Sequence, residues 1–189
     1  MLFCTKLATM DSIKLHDKHF TPFISAQEID NAVKKVAQDI ETDLKGEQPL
    51  FIGILNGSFM FVADFVRHYK DNCEVSFVKL SSYQGTSSTG KIKELVGLQE
   101  NIEGRTVVIL EDIIDTGNTL KEIYQIFKDK KVKTLKIATL FFKPEVFKKD
   151  LKIDYIGLSI PNKFIVGYGL DYDGLGRNLS DIYQLKTPN

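Results

Sequence analysis

The 189-residue sequence has no tryptophan and only three histidines, and 25 basic side chains balance 25 acidic ones, so its formal net charge is zero. A chain without net charge does not bind nucleic acid or an anionic membrane through its overall charge, although binding through a local basic patch is not excluded. Its apolar runs all fall short of the roughly 20 residues that a membrane-spanning helix needs. We therefore expect neither nucleic acid nor a membrane as a partner.

Cysteine is also scarce. Cys4 and Cys73 are the only two, and they follow no metal-binding spacing. Residues 1–11 lack the long apolar core and the small-residue cleavage site of a signal peptide. These features indicate reduced thiols and a cytoplasmic location. Cys73 is expected to be a small buried hydrophobic residue rather than a catalytic thiol.

Apolar runs alternate with amphipathic segments, which is typical of an α/β fold in which helices cover a parallel sheet. Ser25 and Glu28 form a capping-box sequence before the first helix, and Gly46 is a plausible stop. Residues 171–189 show turns and little periodicity. Spacing predicts helices over 25–45, 59–69 and 117–130, and strands over 50–55, 74–80, 106–110, 134–142, 155–160 and 164–168.

One segment carries most of the chemistry. A buried strand leads into two adjacent acids, Glu111 and Asp112, and ligands of open parallel sheets bind beyond the carboxyl ends of the strands. The acids suit ribose hydroxyls or Mg²⁺, whereas the free amides of a helix N-terminus suit a phosphate. The segment therefore predicts a ribose 5-phosphate site, and the alternative is an acidic strand edge before a capped helix. The turn that opens the helix consists of Asp115, Thr116, Gly117, Asn118 and Thr119.

The run Glu-Asp-Ile-Ile-Asp-Thr-Gly at 111–117 resembles the motif with which type I phosphoribosyltransferases bind 5-phosphoribosyl 1-pyrophosphate (PRPP). It is most similar to the hypoxanthine (hypoxanthine-guanine) branch, because relatives that use adenine, orotate or uracil typically differ after the first acids. The resemblance covers about residues 12–181. It implies a single domain over 1–189 with the parallel-sheet phosphoribosyltransferase fold and helices on both faces. The core would cover about 25–160, and a small hood would come from about 1–24 and 161–189.

A second segment, 53–61, resembles the pyrophosphate loop of the family. The resemblance implies that the backbone amides of Asn56, Gly57 and Ser58 face pyrophosphate, and the family loop can hold a non-proline cis peptide. Many family members have Lys or Arg where this chain has Asn56, so backbone donors would have to suffice here. The alternative is an ordinary Asn-Gly-Ser turn.

Two more segments resemble the purine-binding part of the family. Lys143, which follows a predicted strand, would donate to O6 of a 6-oxopurine, since the amine of adenine would leave two donors facing each other. Phe164 would stack on the purine, and the Ile165 backbone would meet its pyrimidine edge. Asp171 would reach Mg²⁺, and Arg177 would lie near pyrophosphate. The alternatives are a surface lysine, a core aromatic residue and a turn acid.

The polar segment 81–94 is too long for an ordinary connection. It matches the flexible loop of the family, with Ser82 and Tyr83 near its start, and would close as a lid that excludes water from the reaction. A surface loop without a catalytic role is the alternative.

The resemblance implies transfer of the phosphoribosyl group from PRPP to N9 of hypoxanthine and guanine, which gives pyrophosphate with IMP or GMP and depends on Mg²⁺. Glu111, Asp112 and Asp171 would hold the metal. Asp115 would act as the general acid/base or stabilise a protonated N7, and the sequence does not rank these roles. Family members are usually homodimers or homotetramers. The alternatives are a regulator that senses PRPP or a nucleotide, and an enzyme for xanthine or a pyrimidine.

Overall fold

The computed structural model describes residues 11–81 and 94–186. In chain order the elements are β1 (Ile13–Leu15), β2 (Lys18–Ile24), α1 (Ala26–Asp43), β3 (Leu50–Leu55), α2 (Phe59–His68), β4 (Glu74–Ser81), β5 (Glu94–Val96), β6 (Thr106–Ile114), α3 (Asn118–Asp129), β7 (Thr134–Phe142), β8 (Tyr155–Ser159), β9 (Ile165–Val166) and β10 (Ile182–Leu185).

The larger sheet has the strand order β5-β4-β3-β6-β7-β8. Its last five strands in this order are parallel, and β5 adds an antiparallel edge. Alternating side chains of each strand point to opposite faces: Phe51 joins the core beneath α1 and α2, whereas Ile52 joins the core beneath α3. Helices therefore cover both faces, and the predicted α/β fold is confirmed.

The smaller sheet is antiparallel, with the order β1-β2-β10-β9. It joins residues 13–24 to residues 165–185, which lie within the two ranges, 1–24 and 161–189, from which the hood was predicted. No strand was predicted over 182–185, and this was wrong, because β10 pairs with both β2 and β9. The division of one domain into core and hood stays a prediction.

Helix α1 begins where the capping box places it. The Ser25 amide donates to Glu28 Oε2 at 2.9 Å, and the Glu28 amide donates to Ser25 Oγ at 3.3 Å. Gly46 follows the helix with φ of 82°, which suits its predicted role as a stop. No helix in the two described ranges is long and apolar enough to cross a membrane.

Two strands differ from their predicted bounds by more than one residue. β6 continues to Ile114 because its pairing with β7 extends to Phe142, so Glu111 and Asp112 lie inside the strand rather than after it. β9 is only two residues long. It ends before Gly167, whose φ of 109° leaves the extended region.

Candidate active site

The two adjacent acids lie near the carboxyl end of the central strand β6. Glu111 is 9% exposed, and burial, together with the neighbouring charge of Asp112, raises the pKa of its carboxyl group well above the usual value. Burial also raises the pKa of Asp112 to about 6, although the Ile113 amide, which donates to Asp112 Oδ1 at 2.9 Å, opposes the shift. Two desolvated carboxyl groups therefore face a site that favours a cation or hydroxyl donors.

The turn that was predicted to bind phosphate opens α3. Gly117 is the N-cap residue, with φ of 75° and no side chain to accept the amides of the first helical turn. These amides are therefore available to a ligand anion. A cavity of about 250 Å³ is lined by residues 111–120. Asp115, Thr116, Asn118 and Thr119 are exposed at this cavity.

The predicted pyrophosphate loop follows β3, next to β6. The peptide bond between Leu55 and Asn56 is cis, as the family resemblance implied. Asn56 is exposed and Gly57 is half-buried. Ser58 is buried, its hydroxyl donates to the Ile54 carbonyl oxygen at 2.7 Å, and its amide lies 3.4 Å from the same oxygen. Ser58 thus closes the loop onto β3, which leaves Asn56 and Gly57 as the accessible part.

Glycines hold three separated segments together. A Cβ atom on Gly57 would lie 1.6 Å from Asp112 Oδ2, and one on Gly169 would lie 2.1 Å from the Gly57 carbonyl oxygen. The loop after β3, the acid on β6 and the segment after β9 are therefore packed at distances that only glycine permits. Gly169 was missed in the sequence analysis, although its place in a Gly-Tyr-Gly run was a signal of close packing.

Lys143 and Asp115 are brought together although they lie 28 residues apart. Lys143 Nζ donates to Asp115 Oδ2 at 3.0 Å, and the Lys143 amide donates to the Ile114 carbonyl oxygen at 3.0 Å. Lys143 is 6% exposed, whereas the side chain of Asp115 is 48% exposed. The ammonium group of Lys143 is therefore buried and contacts the turn, so Lys143 is not an ordinary surface lysine.

The predicted purine strip, residues 160–172, follows β8. Phe164 is 46% exposed, so its ring is not a core aromatic residue. Ile165 is buried, and its backbone pairs with Gln184 of β10. Asp171 accepts a bond from Arg177 Nη2 at 2.6 Å, and Arg177 Nη1 donates to the Gly169 carbonyl oxygen at 2.6 Å. Arg177 thus ties Asp171 to the segment that meets the loop after β3.

The acid groups fit a hard cation that binds together with a ligand. Asp171 is close enough to Asp112 for its charge to raise the pKa of that residue. Among residues 11–81 and 94–186, no group of three or more histidine, cysteine or acidic side chains could hold a metal ion. Mg²⁺ is usually bound by one or two carboxylates with water and substrate phosphates, so this sparse donor set suits it. The lid residues Ser82 and Tyr83 lie outside the described residues.

A parallel sheet with buried acids on its central strand and an open turn at the next helix is typical of α/β enzymes that bind a phosphorylated ligand beyond the carboxyl ends of the strands. Residues 25–173 match the phosphoribosyl transferase domain. The chain belongs to the phosphoribosyltransferase family, and the predicted family and the predicted enzyme class, a pentosyltransferase, are confirmed.

The relatives lie in the branch that the motif predicted. The hypoxanthine-guanine phosphoribosyltransferase of Streptococcus pyogenes is 45% identical over 163 residues, which are 86% of this chain and 91% of that protein. A crystal structure of the enzyme of that name from Bacillus anthracis is 41% identical, covers 88% of this chain and 96% of its own, and has a TM-score of 0.79. A mutant hypoxanthine phosphoribosyltransferase from Trypanosoma cruzi, in a ternary substrates complex, has a TM-score of 0.80 at 35% identity, over 87% and 94% of the two chains.

Proposed function

We propose that this chain transfers the 5-phosphoribosyl group of PRPP to N9 of hypoxanthine and of guanine in purine salvage, releasing pyrophosphate with IMP or GMP. One observation carries the choice of base. The buried Lys143 ammonium lies 3.0 Å from Asp115 Oδ2, at the mouth of the turn that opens α3. A 6-oxopurine offers this ammonium an acceptor, whereas adenine offers a donor. The similarity to enzymes named for hypoxanthine and guanine supports the same choice.

The acids and the turn hold the two ends of the ribose phosphate. Glu111 and Asp112 accept hydrogen bonds from the ribose hydroxyl groups, and the 5-phosphate lies at the amides of 116–119, where the hydroxyl groups of Thr116 and Thr119 add donors. Binding energy from the remote phosphate aligns C1 with the base. The C1–O bond to pyrophosphate stretches first, so positive charge develops on a ribose ring that is already fixed.

The purine binds between Lys143 and Phe164. The Lys143 ammonium exchanges its bond with Asp115 for one with O6, which leaves the Asp115 carboxylate to accept or stabilise the proton at N7. Phe164 stacks on the base, and the Ile165 backbone meets its pyrimidine edge.

Pyrophosphate lies at the amides of Asn56 and Gly57 and near Arg177, while Ser58, whose amide was also predicted to face pyrophosphate, closes the loop onto β3. One or two of the acids Glu111, Asp112 and Asp171 would hold Mg²⁺ together with water and the phosphates of PRPP, and the metal would supply Lewis-acid neutralisation of the leaving pyrophosphate. Closure of the lid with Ser82 and Tyr83, a homodimer or homotetramer, and a cytoplasmic location stay predictions.

The test is an absorbance assay with PRPP, MgCl₂ and one base at a time. We expect product with hypoxanthine and guanine, none with adenine, and none after chelation of the metal. Preferred turnover of xanthine would replace the base assignment with the xanthine alternative. PRPP binding without product from any base would support the regulator instead.

Replacing Lys143 tests the recognition of O6. Lys143→Ala removes a charge-assisted hydrogen bond worth about 2 kcal/mol, so we expect the KM for hypoxanthine to rise about 30-fold with little change in the KM for PRPP. Lys148→Ala, on an exposed lysine five residues further along, is the matched control. Equal losses for both substrates would contradict the assignment.

A further inference from the structure

The turn between β1 and β2 contacts the purine strip from the other end of the chain. Tyr172 donates its hydroxyl hydrogen to Asp17 Oδ1 at 2.7 Å, and Lys18 Nζ lies 4.5 Å from the centre of the Tyr172 ring. The His16 ring meets the Tyr172 ring edge-on at 5.7 Å. Three consecutive residues, two in the turn and Lys18 at the start of β2, therefore contact the hydroxyl group, the face and the edge of one aromatic side chain.

The same ring supports Phe164. The centroids of Phe164 and Tyr172 lie 5.9 Å apart with an interplanar angle of 87°, an edge-to-face arrangement. Phe20 lies 6.3 Å from Phe164 by ring centroid, and Lys18 Nζ lies 6.0 Å from it. Phe164 nevertheless keeps 46% of its surface exposed. Part of the ring is thus fixed by neighbours while the rest remains available to a flat ligand.

This arrangement fixes the ring before the base arrives. A stacking contact depends on the orientation of the two rings, and an exposed side chain must otherwise be ordered when the ligand binds. Because Tyr172 is anchored by Asp17 and by the cation of Lys18, the ordering of Phe164 is already in place in the free protein.

We infer that Asp17, Lys18 and Tyr172 are positioning residues for the purine base, acting through Phe164. The inference rests on the proposed function, because it assigns these residues to the base rather than to PRPP. The residues assigned to the ribose and the 5-phosphate lie on β6 and at the start of α3. Asp171, the chain neighbour of Tyr172, pairs with Arg177, whereas the contacts of residues 16–18 described above go to the rings of Phe164 and Tyr172 and to the Tyr172 hydroxyl group. Loss of the anchor therefore weakens base binding and spares PRPP binding.

The experiment compares Tyr172→Phe, Asp17→Asn and the double variant in steady-state assays with hypoxanthine, PRPP and MgCl₂. We expect each variant to raise the KM for hypoxanthine about threefold to tenfold with kcat and the KM for PRPP unchanged. The double variant matches the single variants, because all three lose the same hydrogen bond.

Lys18→Met, which keeps the apolar stem and removes the charge, is the independent variant, and Lys14→Met on the exposed face of β1 is its matched control. The Lys18 result decides the test if the Tyr172 variant fails to fold. An unchanged KM for hypoxanthine in an active protein, or an equal rise in both KM values, would overturn the inference. Absence of turnover in the unsubstituted chain would instead count against the proposed function.

Discussion

Single residues fix the site through contacts that leave no room for a side chain. A Cβ atom on Gly57 would lie 1.6 Å from Asp112 Oδ2, so Gly57→Ala must displace either the loop or the acid. Both are assigned to PRPP, and displacements of about 1 Å in an active site cost on the order of 100-fold in rate. We expect kcat/KM for PRPP to fall at least tenfold while circular dichroism stays that of the unsubstituted protein.

The control for Gly57→Ala is Gly104→Ala. Gly104 has φ of 73° with open space around it, so the added methyl group strains the backbone without touching the site. We expect it to lower the free energy of unfolding by about 1 kcal/mol and to leave the kinetics unchanged. Equal kinetic effects of the two substitutions would contradict the close contact between Gly57 and Asp112 as the cause of the loss.

The buried carboxyl group of Glu111 lowers the stability of the fold at neutral pH. Its pKa is raised by burial and by the charge of Asp112, so at neutral pH the ionised carboxyl group is less favourable in the folded chain than in the unfolded one. Glu111→Gln keeps the shape and removes this charge. In the absence of Mg²⁺ and PRPP we therefore expect the free energy of unfolding at pH 7, measured in urea, to rise.

The same substitution removes an acceptor for the ribose hydroxyl groups, so the KM for PRPP rises. A variant that is less stable than the unsubstituted chain would contradict the electrostatic interpretation of this position.

At the scale of elements, one hydrogen bond joins the purine strip to the helix that follows the predicted pyrophosphate loop. The Tyr168 hydroxyl donates to Asp64 Oδ2 on α2 at 2.6 Å, and burial together with this bond raises the pKa of Tyr168. Tyr168→Phe removes the donor alone. We expect the free energy of unfolding to fall by about 1 to 2 kcal/mol with an unchanged urea m-value, because the acceptor is charged but partly exposed.

Tyr124→Phe on α3 is the matched control, since its hydroxyl makes no hydrogen bond to another residue in the described part of the chain. Equal losses of stability in the two variants would show that the hydroxyl–carboxylate bond does not join these elements.

The elements that the sequence predicted are those whose signal is local. β3 is an unbroken apolar run, β7 is mostly apolar, and α1 carries its own capping box, so each could be predicted from neighbouring residues. β10 could not, because it is a four-residue strand that is stabilised by pairing with β2, more than 150 residues away. The extension of β6 to Ile114 was missed for the same reason, since its partner β7 continues alongside it.

The candidate site also has one part with a local signal in the sequence and another part without one. Glu111, Asp112 and the turn 115–119 are contiguous, so their joint chemistry could be recognised from the sequence. The packing of Gly57 against Asp112 and of Gly169 against the Gly57 carbonyl oxygen joins three distant segments, and no local pattern predicts such contacts.

Across the whole molecule, the ligand acids and the ion pairs of Asp43 and Glu47 lie at opposite ends of the larger sheet. The carboxyl ends of the parallel strands carry the site, whereas two acids near their amino ends join α1 and the loop after it to β6, β7 and β8. Asp43 accepts bonds from Lys136, at 2.5 Å, and from the Tyr155 hydroxyl. Glu47 accepts bonds from Lys133 at 2.7 Å and from Thr106 at 2.9 Å.

These bonds give the fold its dependence on acid. The bond from Lys136 and then that from Tyr155 lower the pKa of Asp43, and Lys133 and Thr106 lower that of Glu47. A carboxyl group whose pKa is lower in the folded chain stabilises the fold at pH values above its unfolded pKa of about 4. This stabilisation is lost as the pH falls through the pKa of the folded chain.

We therefore expect Asp43→Asn to lower the free energy of unfolding at pH 7 and to flatten the decline of that free energy below pH 4 in urea titrations. Asp39→Asn, which removes only an exposed pair with Lys35 within α1, is the control. A decline of unchanged steepness in Asp43→Asn would place the acid sensitivity of the fold elsewhere.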